Sequence, residues 1–201
     1  MIQRNLLKTI AIIFAVSSCA VTPPENPDNI CSIFKEKRSW YKAAVKTEKR
    51  WKLPPYVLMS FIYQESSFKS DAKPEREKLL GFIPWKRPTS AKGYSQAIEG
   101  TWEEYQKETG NNRAKRSNFD NSVDFIGWYL SKASSVRIRS YEVDKLYLAY
   151  HEGYGGYKRG SYKDKDWLKD VARKVKYNAV RYERQLKNCP LKKKKGFLGI
   201  F

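Results

Sequence analysis

Glu65 closes the stretch Tyr56-Val57-Leu58-Met59-Ser60-Phe61-Ile62-Tyr63-Gln64-Glu65, in which Leu58, Phe61, Ile62 and Glu65 fall at i, i+3, i+4 and i+7. That spacing is the inward stripe of an amphipathic helix, so three apolar side chains and one carboxylic acid share a face. Burial disfavours the ionised carboxylate, and the negative end of the helix dipole does the same near a C-terminus. Both raise the pKa, which is what a general acid needs to hold a proton near neutral pH. The same spacing also fits a last-turn carboxylate tucked against an arginine, or one exposed by fraying. Other carboxyl groups are weaker candidates: Asp71 is expected in a loop, Glu99 at a helix start and Glu152 at a helix end. His151 is the only histidine of the chain. Without the H-E-x-x-H spacing, His151-Glu152 does not make a metal pair, so neither metal nor cofactor is expected.

The elements that must position Glu65 read as helices. Residues 30–190 are enough for one domain with one core. They contain no internal repeat and no clean strand alternation. A first helix is expected over 31–50, capped by Asp28 or Asn29. A second starts at Pro54-Pro55, where proline in the first turn costs nothing, and ends near Ser67. Asn121-Ser122-Val123-Asp124 opens a third, with Val123, Ile126, Gly127 and Leu130 as its stripe. A fourth carries Val143, Leu146, Tyr147 and Tyr150 and stops at Gly153. The last repeats Leu168, Ala172, Val175, Ala179, Tyr182 and Leu186 at a three-four rhythm. The fold class is all-α. The segment 69–92, with Pro74, Gly81, Pro84 and Pro88, is a long connection with room for a small irregular or β element.

Three motifs then stand in order. Glu65-Ser66-Ser67-Phe68 resembles the E-S-x-F motif of the lytic transglycosylase (SLT-type) catalytic domain. Gly93-Tyr94-Ser95-Gln96, followed by Thr101-Trp102, is similar to that family's G-L-M-Q and T-W. Ala149-Tyr150-His151-Glu152-Gly153 is similar to its A-Y-N-A-G. The resemblance covers residues 31–189 and implies a lysozyme-like, goose-type-lysozyme-like helical globule that cleaves peptidoglycan. It implies that Glu65 alone protonates the glycosidic oxygen between N-acetylmuramic acid and N-acetylglucosamine. Glu65 then takes the proton of the muramoyl C6 hydroxyl, leaving a 1,6-anhydro product. Ser66, Gly93, Tyr94, Ser95, Gln96, Tyr150 and His151 are the implied substrate-binding residues. Ser66 steadies the Glu65 region, the Tyr94–Ser95 backbone holds an N-acetyl group, and Gln96 reaches a sugar. The sequence departs from the family at Tyr94-Ser95, which would make a polar cleft wall, and at His151 and Glu152. Trp85 is placed to cover one end of the groove. Trp102, Trp128, Tyr154 and Tyr157 are candidates for stacking on sugars or for core packing, and Tyr177 and Tyr182 compete as the family's late tyrosine. A hydrolytic muramidase and a non-catalytic peptidoglycan-binding lipoprotein are the alternative readings.

The ends of the chain carry their own signals. Residues 1–18 read as a secretory signal, with Arg4 and Lys8 around a short apolar run too short to span a bilayer. Val16-Ser17-Ser18-Cys19 resembles a bacterial lipobox, with lipidation expected at Cys19; an ordinary signal peptide with an incidental cysteine is the alternative. Ala20 after the cysteine suits the periplasmic face of the outer membrane. Residues 19–29, with Pro23, Pro24 and Pro27, form a tether. In an oxidising compartment Cys31 and Cys189 are expected to pair, or else to remain two free thiols. The net charge is +19, and +17 without residues 1–18. In an exported chain that excess points to stem-peptide carboxylates or an anionic membrane surface rather than nucleic acid. The tail 191–201, four lysines followed by Phe197, Leu198, Ile200 and Phe201, is a frayed end or a membrane contact. A monomer is expected.

Overall fold

Asn29 starts the folded region by accepting the Cys31 and Ser32 amides on its side chain, at 3.0 and 3.1 Å, and so caps the first helix. The computed structural model describes residues 22–79, 83, 84, 86–189 and 191. Cys19, Trp85 and the tail beyond Leu191 lie outside the described residues. Among those described, the helices are α1 (Ile30–Glu36), α2 (Arg38–Trp51), α3 (Pro55–Ser66), α4 (Glu99–Thr109), α5 (Phe119–Ser131), α6 (Val143–Arg159) and α7 (Asp166–Lys187). A short 3-10 turn, Lys132–Val136, links α5 to the loop before α6. None is long and apolar enough to cross a membrane.

The helix expected over 31–50 is two helices, broken at Lys37 (φ −109°, ψ 71°). The break lets α1 lie on α7 while α2 turns to pack along α5, a pairing one straight rod cannot make. Trp40, just past the break, stacks on Phe119 with ring centroids 4.1 Å apart and planes 2° from parallel. The amphipathic stripe read for the second helix is also corrected. From Val57 to Ile62 every residue of α3 is buried, so the helix is enclosed nearly all round by α2, α5 and α7. Such a helix is a core rod rather than a surface one.

In the 69–92 connection, β1 (Lys78–Leu79) pairs antiparallel with β2 (Ile83–Pro84). α5 starts at Phe119, capped by the Asn118 side chain, two residues before the expected opening. The helical stretch that opens α6 at Val143 does stop at Gly153, as expected, and a second stretch follows it. That residue leaves helical geometry (φ 71°, ψ 157°) and the helix resumes to Arg159. The positive φ is one that only glycine adopts without strain.

Both ends of the folded region meet along α7. Tyr182 donates its hydroxyl to the Pro27 carbonyl, Arg181 pairs with Asp28 at 2.6 Å, and Gln185 accepts the Ile30 amide at 3.0 Å. Cys31 and Cys189 are disulfide-bonded, Cα atoms 5.8 Å apart, across a sequence separation of 158. Closing so long a loop removes denatured-state entropy, so replacing both cysteines by serine should lower the unfolding free energy by about 2–5 kcal/mol. Urea denaturation of the two forms checks this, and reductant should bring the wild type to the variant's midpoint.

Candidate active site

The last turn of α3 is held in place before it is given any chemistry. Ser66 is buried and donates its hydroxyl to the Ile62 carbonyl at 3.0 Å. Ser67 and Phe68 then take left-handed backbone angles, φ 49° and 63°, which turn the chain sharply. Left-handed geometry at two successive non-glycine residues costs energy that the surroundings must offset. Phe68 supplies part of that offset. It is fully buried, stacked between Trp40 at 5.7 Å and Tyr63 at 5.6 Å.

Glu65 therefore presents its carboxyl from a fixed helix end. The residue is half-buried, open enough to meet a ligand, yet protein crowds the carboxyl itself. Burial pushes it up to about 7, against a smaller downward pull from the Tyr147 hydroxyl, which donates to it. Tyr147 and Tyr150 both come from α6 and flank Phe61 of α3, with ring centroids at 5.5 and 5.4 Å. The phenols of both are pushed well above their ordinary range, first by burial and then by the Glu65 charge. Tyr150 donates to the Ser95 carbonyl at 2.6 Å. One acid and two undissociated tyrosines thus converge where three chain segments meet.

The loop that delivers Ser95 needs glycine at 93. Its φ is +76°, and a Cβ there would lie 1.9 Å from the Arg116 carbonyl oxygen. The Gly93 amide donates to the Ala72 carbonyl at 2.8 Å, and Tyr94 donates to that of Arg116 at 3.2 Å. Gln96 binds the same loop from within, its Nε2 donating to Ala72 at 2.9 Å and to Gly93 at 2.8 Å. Its amide nitrogen is thus occupied by the fold, and its carbonyl oxygen is what remains for a ligand. The expected polar cleft wall at Tyr94-Ser95 is not formed. Tyr94 is a core residue, 1% exposed, edge-on to Trp40 and Phe119, and Ser95 is fully buried. The Ser95 carbonyl instead serves the fold, accepting the Tyr150 hydroxyl.

The remaining candidates separate from Glu65 chemically. Burial alone would raise Glu152, but Lys165 at 2.8 and 2.9 Å, Ser161 and His151 hold its carboxyl down to about 2. It is a committed anion joining α6 to the α7 entry. His151 is exposed, with Nδ1 3.0 Å from Glu152 and its ring edge-on to Trp167. Asp71 and Glu99 are exposed. Trp102 and Trp128 are buried core residues. Tyr177 faces solvent, and Tyr182 has its hydroxyl on the Pro27 carbonyl. Among the described residues no cluster of three or more His, Cys, Asp or Glu side chains converges to hold a metal.

Tyr147 was read from sequence only as a member of an apolar stripe. Its position one turn before Tyr150 was the signal that the two share a face. Concavities elsewhere, of about 320 Å³ beside Arg116 and about 530 Å³ beside Arg137, do not include Glu65. The site is chosen by its chemistry, because neither depression contains a carboxyl. A family model described as transglycosylase SLT domain matches residues 7–189. No curated protein matches the chain.

A carboxyl raised from 4.5 to about 7 makes a prediction about stability. Between those values the folded chain holds a proton that the unfolded chain has released, so this group's contribution is intact below the lower value and is lost as pH rises through the upper one. Glu65→Gln removes the titration. It should leave stability unchanged at pH 4 and raise it by about 2–3 kcal/mol at pH 8. Equal denaturation midpoints for the two proteins at pH 8 would refute the burial assigned to Glu65.

Proposed function

The chain belongs to the transglycosylase SLT domain family, and from that membership we propose that it is a peptidoglycan lytic transglycosylase working through Glu65 alone. The observation that carries the reading is the Glu65 carboxyl pushed up to about 7 by burial, beside the Tyr147 hydroxyl. A protonated acid at neutral pH can donate to the glycosidic oxygen as the muramoyl C1–O bond breaks. The carboxylate so formed then takes the proton of the C6 hydroxyl while that oxygen attacks C1. The product is a 1,6-anhydro sugar, and the acid is restored without water. The usual glycosidase scheme needs two carboxyl groups close together. Here Glu152 is committed to Lys165 and the rest of the site offers tyrosine hydroxyls. Tyr147 orients the Glu65 carboxyl and donates to it once it is charged. Tyr150 is fixed by the Ser95 carbonyl and carries the groove wall between α3 and the Gly93 loop.

Export and lipidation at Cys19 complete the proposal. They would hold the domain on the periplasmic face of the outer membrane, within reach of the glycan. Cys19→Ser should move the protein from the membrane fraction to the soluble fraction, as read by fractionation and immunoblot.

Digestion of murein sacculi followed by mass spectrometry tests the chemistry. Anhydro-muramoyl ends are expected, and reducing ends as the sole product would mean hydrolysis instead. Glu65→Gln should lower the rate by about 10²–10⁴-fold, the usual contribution of a positioned acid. Wild-type activity should fall as pH rises through about 7, where Glu65 loses its proton.

A further inference from the structure

A second surface feature is built with more care than a solvated face requires. The 3-10 turn, the end of α6 and the loop 160–165 enclose the depression of about 530 Å³ noted above. Its walls include Tyr157 and Tyr162, half-buried and stacked with centroids 5.1 Å apart and planes 17° from parallel. Around them stand three exposed cations, Arg137, Lys158 and Lys163. Among the described residues none of the three has an acidic partner in salt-bridge range. Asp164 follows Lys163 but does not line the depression.

Two further observations set this corner apart from the many other surface lysines. Arg137 ends the 3-10 turn in a left-handed conformation, φ 61°, where glycine or asparagine would relieve the strain. The loop carrying Tyr162 and Lys163 is also tightly held. Glu152 binds Lys165 and Ser161, the Ser161 amide donates to the Gly156 carbonyl at 3.1 Å, and Lys169 donates to the Lys163 carbonyl at 2.8 Å. The held backbone fixes in advance the positions from which Tyr162 and Lys163 reach the depression, which lowers the ordering cost of binding there. Three cations around one cavity suit a ligand with more than one carboxylate on short aliphatic stems.

We propose that the corner formed by Arg137, Tyr157, Lys158, Tyr162 and Lys163 is a binding site for an acidic peptide, namely the stem peptide borne by the muramoyl residues of the glycan. The proposal rests on the reading of the substrate as peptidoglycan. It assigns Glu152 as a positioning residue for the loop that presents Lys163. Tyr154 shares α6 with this corner and stacks on Tyr129 at 4.9 Å, and Tyr129 in turn touches Tyr150 at 5.2 Å. A chain of partly buried ring contacts thus runs from Tyr150 through Tyr129 to Tyr154 on the corner's own helix.

Calorimetry on the full-length Glu65→Gln chain tests the site without turnover. The probes are the free stem tetrapeptide, the same peptide with its carboxylates amidated, and vesicles of phosphatidylglycerol. Amidation should weaken binding about tenfold, and so should Arg137→Ala combined with Lys163→Ala, both exposed positions that fold normally. In the otherwise wild-type chain that double substitution should raise KM about tenfold on peptide-bearing strands and leave peptide-stripped strands unaffected. Equal affinity for free and amidated peptide overturns the proposal, as does a double variant that binds like its parent or a corner that takes vesicles and not peptide. A chain that binds the peptide through this corner yet cleaves neither strand type supports the site and refutes the enzymatic reading instead.

Discussion

Everything at the site depends on keeping one carboxyl away from bulk water at the end of a buried helix. A charged carboxylate in such a place is costly, and among the described residues no cation lowers its pKa. Among the described residues the Tyr147 hydroxyl is the hydrogen-bonding partner that lowers the Glu65 pKa, and that bond does not offset the burial. The rest of the domain can be understood as what holds this condition. α3 is enclosed from Val57 to Ile62, which anchors the turn that ends it. The left-handed pair Ser67-Phe68 turns the chain away at once, and the Phe68 ring locked between Trp40 and Tyr63 resists straightening. The strain in that turn is local, while the aromatic packing that sustains it reaches to α5 through the Trp40–Phe119 stack.

The same condition explains why the partners are tyrosines. A lysine or arginine beside Glu65 would hold the carboxyl ionised, as Lys165 does to Glu152. A second carboxylate would repel any charge that Glu65 acquires on losing its proton. A phenol is neutral, donates one hydrogen bond and brings an apolar ring that adds to the desolvation. α6 supplies two of them one turn apart, and the Gly93 loop fixes the second through the Ser95 carbonyl. That loop is in turn built against Arg116, whose carbonyl leaves no space for a side chain at position 93. The geometry at Glu65 is thus set by residues drawn from α3, from the turn before α4, from the segment before α5 and from α6.

How much of this was legible in the sequence follows from which interactions are local. Glu65 was readable as an inward-facing acid because helical spacing is a property of one segment, while the burial that raises its pKa is completed by α6 and the Gly93 loop. The Asn29 cap, the Pro55 start and the long α7 were readable for the same reason, and the family resemblance agrees with the match over residues 7–189. The break at Lys37 was not, because no proline or glycine marks it. It exists to let α1 and α2 pack on different partners. Tyr94 misled because a tyrosine is equally at home facing a groove or buried edge-on to Trp40, and only the tertiary cluster decides. Tyr147 was visible as a stripe residue, yet its partner lies on another helix. The stop at Gly153 was readable because glycine ends helices, while the second helical stretch, which follows a kink there and runs to Arg159, was not.

That kink is where the two halves of α6 acquire different work. Before Gly153, Tyr147 and Tyr150 face α3 and the Gly93 loop. After it, Tyr157 faces the 3-10 turn and Tyr162. A straight helix would keep one face in register throughout and bring the later residues back onto the core. No heavy atom beyond its own neighbourhood lies within 4 Å of where a Cβ at Gly153 would sit, so glycine is needed there for its backbone angles and not for space. Glu152, immediately before the kink, then has its carboxylate free of the Glu65 cluster and directed to Lys165 and Ser161. Glu152 stands two residues after Tyr150 and five after Tyr147, so the committed anion and the tyrosine partners of the acid lie within two turns of one helix. The same helix thus carries the Glu65 tyrosines before the kink and the Tyr157 wall of the cationic corner after it.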